Sequence, residues 1–128
     1  MLKQGLTGEA AMKVAKGNTA MEVGSGSVPV FATPMLVALM ENAAINALKG
    51  QLEDGQTTVG MKVDVAHTAA TPIGMTVTAH AELVEVEGRR LRFKVTAVDD
   101  AGPVGEGTHD RFVVDQAKFM AKVEQKSG

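Results

Sequence analysis

Residues 34–48 read PMLVALMENAAINAL, and this stretch decides the fold because it predicts one helix that is apolar on most of its surface. Glu41 is the only charged side chain within it, and its neighbours at helical spacing include Val37 and Ile45. A buried carboxylate is costly unless it is paired, neutralised or used in chemistry. Glu41 is therefore the first candidate for a functional residue.

Local signals predict both ends of this helix. Thr33 and Pro34 are typical of an N-cap and first-turn pair, because the hydroxyl accepts a bond from an unpaired amide and proline needs no partner there. Lys49 places a cation in the last turn, and Gly50 tolerates the left-handed conformation that ends many helices.

After the helix the apolar period changes to two residues, which predicts strands. In residues 58–68 the odd-numbered positions from Val59 to His67 share one face of the predicted strand. Further strands are predicted at 75–83, 91–97 and 104–114, with weaker candidates at 9–16 and 19–23 joined by Gly17-Asn18. The order predicts an α+β fold, in which a curved antiparallel sheet wraps around one buried helix. Its free edges favour dimerisation through the sheet.

Composition predicts a single domain spanning residues 1–128. The chain has no cysteine and a formal charge of −2, so we expect neither a disulfide scaffold nor a nucleic-acid or membrane partner. The N-terminal residues lack the pattern of a signal peptide, which predicts a cytoplasmic location. Residues 24–27, GSGS, are predicted to be a flexible loop before the helix.

His67 is the second candidate, because its strand face points toward the predicted helix and so toward Glu41. A carboxylate and an imidazole in a dry site form a common acid/base pair. The alternative is a core histidine bonded to backbone.

Thr33 is the third candidate, although an N-cap role is the simpler interpretation. Its hydroxyl lies beside the free amides of a helix N-terminus, where it could help to hold a carbonyl or a water. Thr33 and Glu41 are eight residues apart, about 12 Å along an ideal helix, so we expect them to flank a substrate rather than touch. His80 is expected to be solvated, and a metal site built from His67, His109 and Glu41 has no supporting spacing.

Three segments resemble the fluoroacetyl-CoA-thioesterase-like branch of the hotdog-fold thioesterases: FATPMLVALMENAA, VDVAHTAATPIGMTVTAHAELVEVEGRRLRFKV and GEGTHDRFVVDQAKFMAKVEQK. They carry the patterns AT-x7-E, AHTAATP-x-G and GTH-x-R. The resemblance implies a hotdog fold, a homodimer and hydrolysis of a short acyl-CoA thioester, with no cofactor and no metal. It carries catalytic roles onto Thr33, Glu41 and His67. Substrate-side residues implied by the resemblance are a backbone-donor glycine at Gly60, Arg111, and Phe31 at the helix entry.

One segment departs from the family pattern. Fluoroacetyl-selective members have an aromatic-bearing lid before the helix, whereas residues 21–28 here contain no aromatic, which favours a broader or different short-chain substrate. The residue types present are also compatible with two other functions. One is a non-catalytic protein that binds acyl thioesters or small acids, and the other is an enoyl-CoA hydratase or dehydratase. The basic side chains Arg89, Arg90 and Arg92 could contact coenzyme A phosphates, but a solvated strand face is the favoured interpretation.

Overall fold

The computed structural model describes residues 2–128 and has the predicted α+β architecture. Within those residues no helix combines the length and the apolar character that a membrane span requires. The strands are β1 (Thr7–Lys13), β2 (Gln56–His67), β3 (Thr76–Glu87), β4 (Arg90–Asp99) and β5 (Gly102–Asp115). The α-helices are α1 (Ala20–Val23), α2 (Thr33–Ala47) and α3 (Gln116–Glu124).

The five strands form one antiparallel sheet in the order β1-β3-β4-β5-β2. Alternate residues of β3 and β4, such as Leu83 and Phe93, are fully buried on the face that carries the helix. Helix α2 packs across this face, mainly against β1 and β3. Strand β2 is an edge of the sheet, and much of it is exposed.

Helix α2 confirms the predicted helix, but it is more amphipathic than the sequence indicates. Its buried side chains lie on one face, which includes Leu36, Met40 and Ala44. The other face is exposed at Thr33, Pro34, Ala38, Asn42 and Ile45. The expectation that the helix is buried on most sides is therefore wrong for this chain alone.

The face predicted for β2 is correct for its second half and wrong for its first. A bulge at Met61 shifts the register between Gly60 and Lys62. Beyond it, Val63 pairs with His109 on the helix side, whereas Val59 pairs with Phe112 and lies on the other face. An extra residue in one strand reverses the alternation of its side chains, and here it brings Gly60 to the inner face.

The N-terminal region corrects one prediction and confirms another. Residues 19–23, predicted as a strand, form the short helix α1, because Thr19 caps it through the amide of Glu22 and Gly24 ends it with φ of 80°. The strand predicted at 9–16 is β1, which begins and ends earlier. Helix α3, which follows an N-cap at Asp115, was not predicted, although the segment QAKFMAKVE contains mostly good helix formers.

Candidate active site

The hydroxyl of Thr33 is hydrogen-bonded to an imidazole rather than to the helix. Its Oγ1 lies 2.7 Å from Nδ1 of His67, at the end of β2. Ala32 occupies the N-cap position and makes no side-chain bond to the helix, and Thr33 is the first helical residue. The predicted N-cap role of Thr33 is therefore wrong, and its hydroxyl is left for contact with His67.

His67 is half-buried, and its second ring nitrogen is free of protein partners. Nε2 is buried and has no hydrogen bond within the described chain. Burial lowers the pKa of His67, and the backbone of Ala69 acts more weakly in the opposite direction. The imidazole is thereby favoured in its neutral form, which suits a group that must accept a proton.

A cavity of about 280 Å³ adjoins this pair. Phe31 lies at its wall, as expected for a residue at the helix entry, and Ser25 borders it from the GSGS loop. The remaining lining comes from small or apolar side chains: Ala20, Val30, Thr68, Ala69 and Ala70. Thr33 and His67 both border this cavity.

Thr71, which the sequence analysis did not single out, holds the helix entry in place. Its carbonyl accepts the amide of Phe31 at 2.9 Å, and its buried hydroxyl donates to Asp99 at 2.8 Å. Asp99 also accepts the amides of Ala101 and Gly102 in the β4–β5 turn, and these bonds lower its pKa. This chain of bonds ties the loop after His67 to the first turn of α2. The sequence feature that could have identified Thr71 is its position directly before Pro72.

Glu41 belongs to a second cluster, farther along the exposed face of α2. Its side chain is 37% exposed, so the expected buried carboxylate is only partly covered. Oε2 lies 3.5 Å from Nη1 of Arg111 and 4.0 Å from Nε2 of His109. The structure thus gives Glu41 a cationic partner.

Arg111 is held on several sides by protein groups. Its side chain is 6% exposed, and it donates from Nε to Oγ1 of Thr58 at 2.9 Å and from Nη2 to the Thr58 carbonyl at 3.0 Å. Burial lowers the pKa of Arg111, and the carboxylate of Glu41 opposes this effect. An arginine remains charged under such conditions, so it supplies a fixed positive charge beside the carboxylate.

Gly60 borders the carboxylate because of the bulge in β2. A β-carbon at this position would lie 2.8 Å from Oε2 of Glu41 and 3.6 Å from Nη1 of Arg111. The glycine therefore leaves the space that the carboxylate occupies, and any substrate beside Glu41 would also meet this backbone.

The two clusters are separate within one chain. No hydrogen bond or ion pair joins Glu41 to Thr33 or His67 among the described residues. Thr33 and Glu41 both lie in α2, eight residues apart, which is about 12 Å along an ideal helix. The predicted meeting of Glu41 with His67 is therefore not found inside a single copy of the chain.

The basic residues of the β3–β4 hairpin mostly pair with acidic neighbours. Arg90 forms an ion pair with Glu85, and Arg92 makes a two-pronged contact with Asp110 at 2.8 and 3.1 Å. The favoured interpretation was a solvated strand face; the side chains of Arg90 and Arg92 are 24% and 38% exposed, and both are paired with carboxylates.

Solved structures of similar fold define the class of protein. The chain is similar to a Thermus thermophilus protein described as a thioesterase superfamily member, with 27% identity, a TM-score of 0.91, and coverage of 99% of this chain and 94% of that one. It is also similar to a threonine-to-serine mutant of the fluoroacetyl-CoA thioesterase FlK in complex with acetyl-CoA, with 40% identity, a TM-score of 0.92, and coverage of 99% and 100%. The protein is a hotdog-fold thioesterase, which confirms the fold and the enzyme class predicted from the sequence.

The particular family follows from sequence comparison. The model of the fluoroacetyl-CoA-specific thioesterase family matches residues 14–117, and the chain belongs to that family. A fluoroacetyl-CoA thioesterase from Streptantibioticus cattleyicolor is 51% identical over 98 residues, which cover 77% of this chain and 70% of that protein.

Proposed function

We propose that this enzyme hydrolyses short-chain acyl-CoA thioesters in the cytoplasm, with Thr33, Glu41 and His67 as catalytic residues. The observation that carries the proposal is the bond between Thr33 and His67 beside a cavity at the N-terminus of α2. Relatives named as fluoroacetyl-CoA thioesterases, and a structure of one mutant with acetyl-CoA, support a small acyl group. Residues 21–28 carry no aromatic side chain, which supports a substrate range that includes acetyl- and propionyl-CoA.

We further propose that the active enzyme is a homodimer in which each site combines both clusters. The exposed face of α2 and the exposed β2 side chains Met61 and Val63 form a largely apolar surface that a second copy would cover. Two antiparallel copies of α2, related by a two-fold axis, would bring Glu41 of one copy toward Thr33 and His67 of the other. This arrangement supplies the carboxylate that the Thr33–His67 pair lacks within one chain.

The proposed reaction uses Glu41 to activate water. The carboxylate takes a proton as the water oxygen forms a bond to the thioester carbonyl carbon. The amide of Gly60 and the hydroxyl of Thr33 stabilise the oxyanion, while Phe31 and Arg111 border the substrate. The carbon–sulfur bond then breaks as the proton that Glu41 took from water passes to Nε2 of His67 and on to the thiolate. The products are a carboxylic acid and free coenzyme A, and Glu41 and His67 return to their starting states.

Direct attack by Glu41 is the second route, through a mixed anhydride that water then hydrolyses. Borohydride added during turnover separates the routes, because it reduces a glutamyl anhydride to the alcohol. A Glu41 peptide with the mass of this alcohol supports the anhydride, and an unmodified peptide supports activation of water.

Thiol release from acetyl-, propionyl-, fluoroacetyl- and longer acyl-CoA esters tests the function, and absorbance change with crotonyl-CoA tests hydratase activity. We expect turnover with the short esters and loss of turnover in Glu41→Gln and His67→Gln. His80→Gln is the matched control, because His80 lies outside both clusters. Unchanged turnover in the Glu41 and His67 variants, with folding intact by circular dichroism, would reject the assigned residues.

Complementation between inactive variants tests the shared site. Glu41→Gln and His67→Gln chains are unfolded together and refolded as a mixture. If sites are shared between copies, each mixed dimer regains one complete site, and about a quarter of wild-type activity returns for random pairing. No recovery, with mixed dimers demonstrated by mass, would show that each site is built within one chain.

A further inference from the structure

His109 is a buried histidine to which the proposed reaction gives no role. It lies on the inner face of β5, two residues before Arg111, and its side chain is 1% exposed. Its ring stacks near Phe93, with centroids 6.4 Å apart and an interplanar angle of 29°. A substrate at the exposed side of Glu41 would not reach this ring, so any contribution must pass through its neighbours.

The hydrogen bonds of His109 define its protonation state. Nδ1 lies 2.8 Å from the carbonyl oxygen of Lys62, which only accepts, so Nδ1 carries the proton. Nε2 lies 3.1 Å from Nη1 of Arg111, which only donates, so Nε2 carries none. The two bonds together require the neutral imidazole with hydrogen on Nδ1. The 4.0 Å approach of Nε2 to Glu41 is therefore not an ion pair.

The Nη1 nitrogen of Arg111 is shared between His109 and Glu41. The other two guanidinium nitrogens are anchored on Thr58, and the contact of Nη1 with the carboxylate, at 3.5 Å, is longer than its contact with His109. Because the guanidinium is planar, the acceptor at His109 completes the set of bonds that fixes its orientation.

We propose that His109 is a positioning residue, which accepts a hydrogen bond from Arg111 and so fixes the guanidinium that orients the carboxylate of Glu41. This inference rests on the proposed function, because it takes Glu41 to be the reacting carboxylate. The residue acts as a neutral acceptor and transfers no proton.

The surroundings of His109 favour the neutral form. Burial lowers the pKa of His109 and the charge of Arg111 acts in the same direction, whereas the Lys62 carbonyl, Glu41 and Asp110 oppose them. Arg111 and Asp110 belong to β5 and Glu41 to α2, while β4 presents the uncharged ring of Phe93. A proton on Nε2 would place an N–H donor of a positively charged imidazole directly against the N–H donor and positive charge of Arg111.

A matched pair of substitutions tests this role. The amide oxygen of His109→Gln can occupy the position of Nε2 and accept from Arg111, whereas the shorter amide of His109→Asn reaches the Nδ1 position and bonds to Lys62. We expect His109→Asn to lower kcat by about tenfold with KM within about twofold, and His109→Gln to retain most of kcat.

Folding is measured for both variants by circular dichroism and urea unfolding, so that kcat is compared for folded enzyme. A purely structural role would lower the urea midpoint and leave kcat unchanged, whereas the positioning role lowers kcat and leaves KM nearly unchanged. Equal kcat in the two variants, whether high or low, overturns the proposal. Full activity in Glu41→Gln would instead reject the proposed catalytic role of Glu41, whatever the His109 variants do.

Discussion

A β-carbon placed on Gly60 would lie 2.8 Å from Oε2 of Glu41, so the bulged strand β2 sets the room available to the carboxylate. Arg111 holds the same oxygen from another side, at 3.5 Å. The position of Glu41 therefore depends on two features of the sheet, a missing side chain and a buried cation, and neither belongs to the helix that carries it.

Gly60→Ala is expected to impair catalysis more than folding. The φ of Gly60 is not in the left-handed region, and the atom that its β-carbon meets is the end of a flexible side chain, so the carboxylate can move aside. We expect kcat/KM to fall by at least about tenfold, because a small misplacement of a reacting group is costly. The free energy of unfolding should change by less than about 1 kcal/mol.

The matched control for that substitution is Gly17→Ala, where a β-carbon would meet nothing within 4 Å. Both variants are assayed for thiol release and urea unfolding. Wild-type kcat/KM in Gly60→Ala would contradict a steric role for this glycine.

Thr33→Val separates a catalytic hydroxyl from a helix cap. Loss of an N-cap side chain costs about 1 kcal/mol, but Thr33 follows the N-cap and bonds to His67, so we expect a smaller loss of stability. If the hydroxyl stabilises the oxyanion, kcat should fall by about a hundredfold, and Thr33→Ser should recover most of it. Urea unfolding together with thiol release measures both quantities. A variant that loses stability and keeps its kcat would restore the cap interpretation.

The sequence predicts the elements of the site better than it predicts their contacts. Thr33, Glu41 and His67 were identified because each has an unusual place in the apolar pattern of a helix or a strand. The bond of Thr33 to His67 spans 34 positions of the sequence, and the contact of Glu41 with Arg111 spans 70. Such contacts depend on how the sheet curves over the helix, which local patterns do not encode.

The bulge at Met61 is a second feature that local sequence patterns do not predict. Strict alternation places Val59 and Val63 on one face, and one inserted residue puts them on opposite faces. The sequence carries only a glycine at this point, and glycine marks bulges, bends and close approaches alike. The family resemblance implied a backbone donor at Gly60, and neither the resemblance nor the periodicity predicted the bulge.

Stability should fall as the pH drops below the ordinary histidine value of 6.5, because burial lowers the pKa of His109 in the folded chain. Between 6.5 and that lowered pKa the unfolded chain binds the proton and the folded chain does not, so acid favours unfolding. One such group contributes a slope of at most about 1.4 kcal/mol per pH unit. Urea unfolding from about pH 7.5 to about pH 5 measures this slope.

His109→Gln removes one of two histidines whose pKa is lowered by burial, the other being His67, and should make this part of the curve less steep. His80→Gln serves as the control. An equal slope in wild type and His109→Gln would mean that other groups cause the loss of stability.

Gly8→Ala is expected to destabilise the fold, although Gly8 contacts no residue of the two clusters. A β-carbon on this residue of β1 would lie 2.3 Å from the amide nitrogen of Ala47 and 2.4 Å from the carbonyl oxygen of Ala43. Both are backbone atoms of α2, so neither can move without displacing the helix, and overpacking of this kind costs about 3 kcal/mol. The urea midpoint should fall well below that of Gly17→Ala.

Because α2 carries both Thr33 and Glu41, kcat of the folded fraction should also fall if the helix shifts along β1. An unchanged midpoint would mean that the strand and the helix can separate freely at this contact, and that the helix is held against the sheet elsewhere.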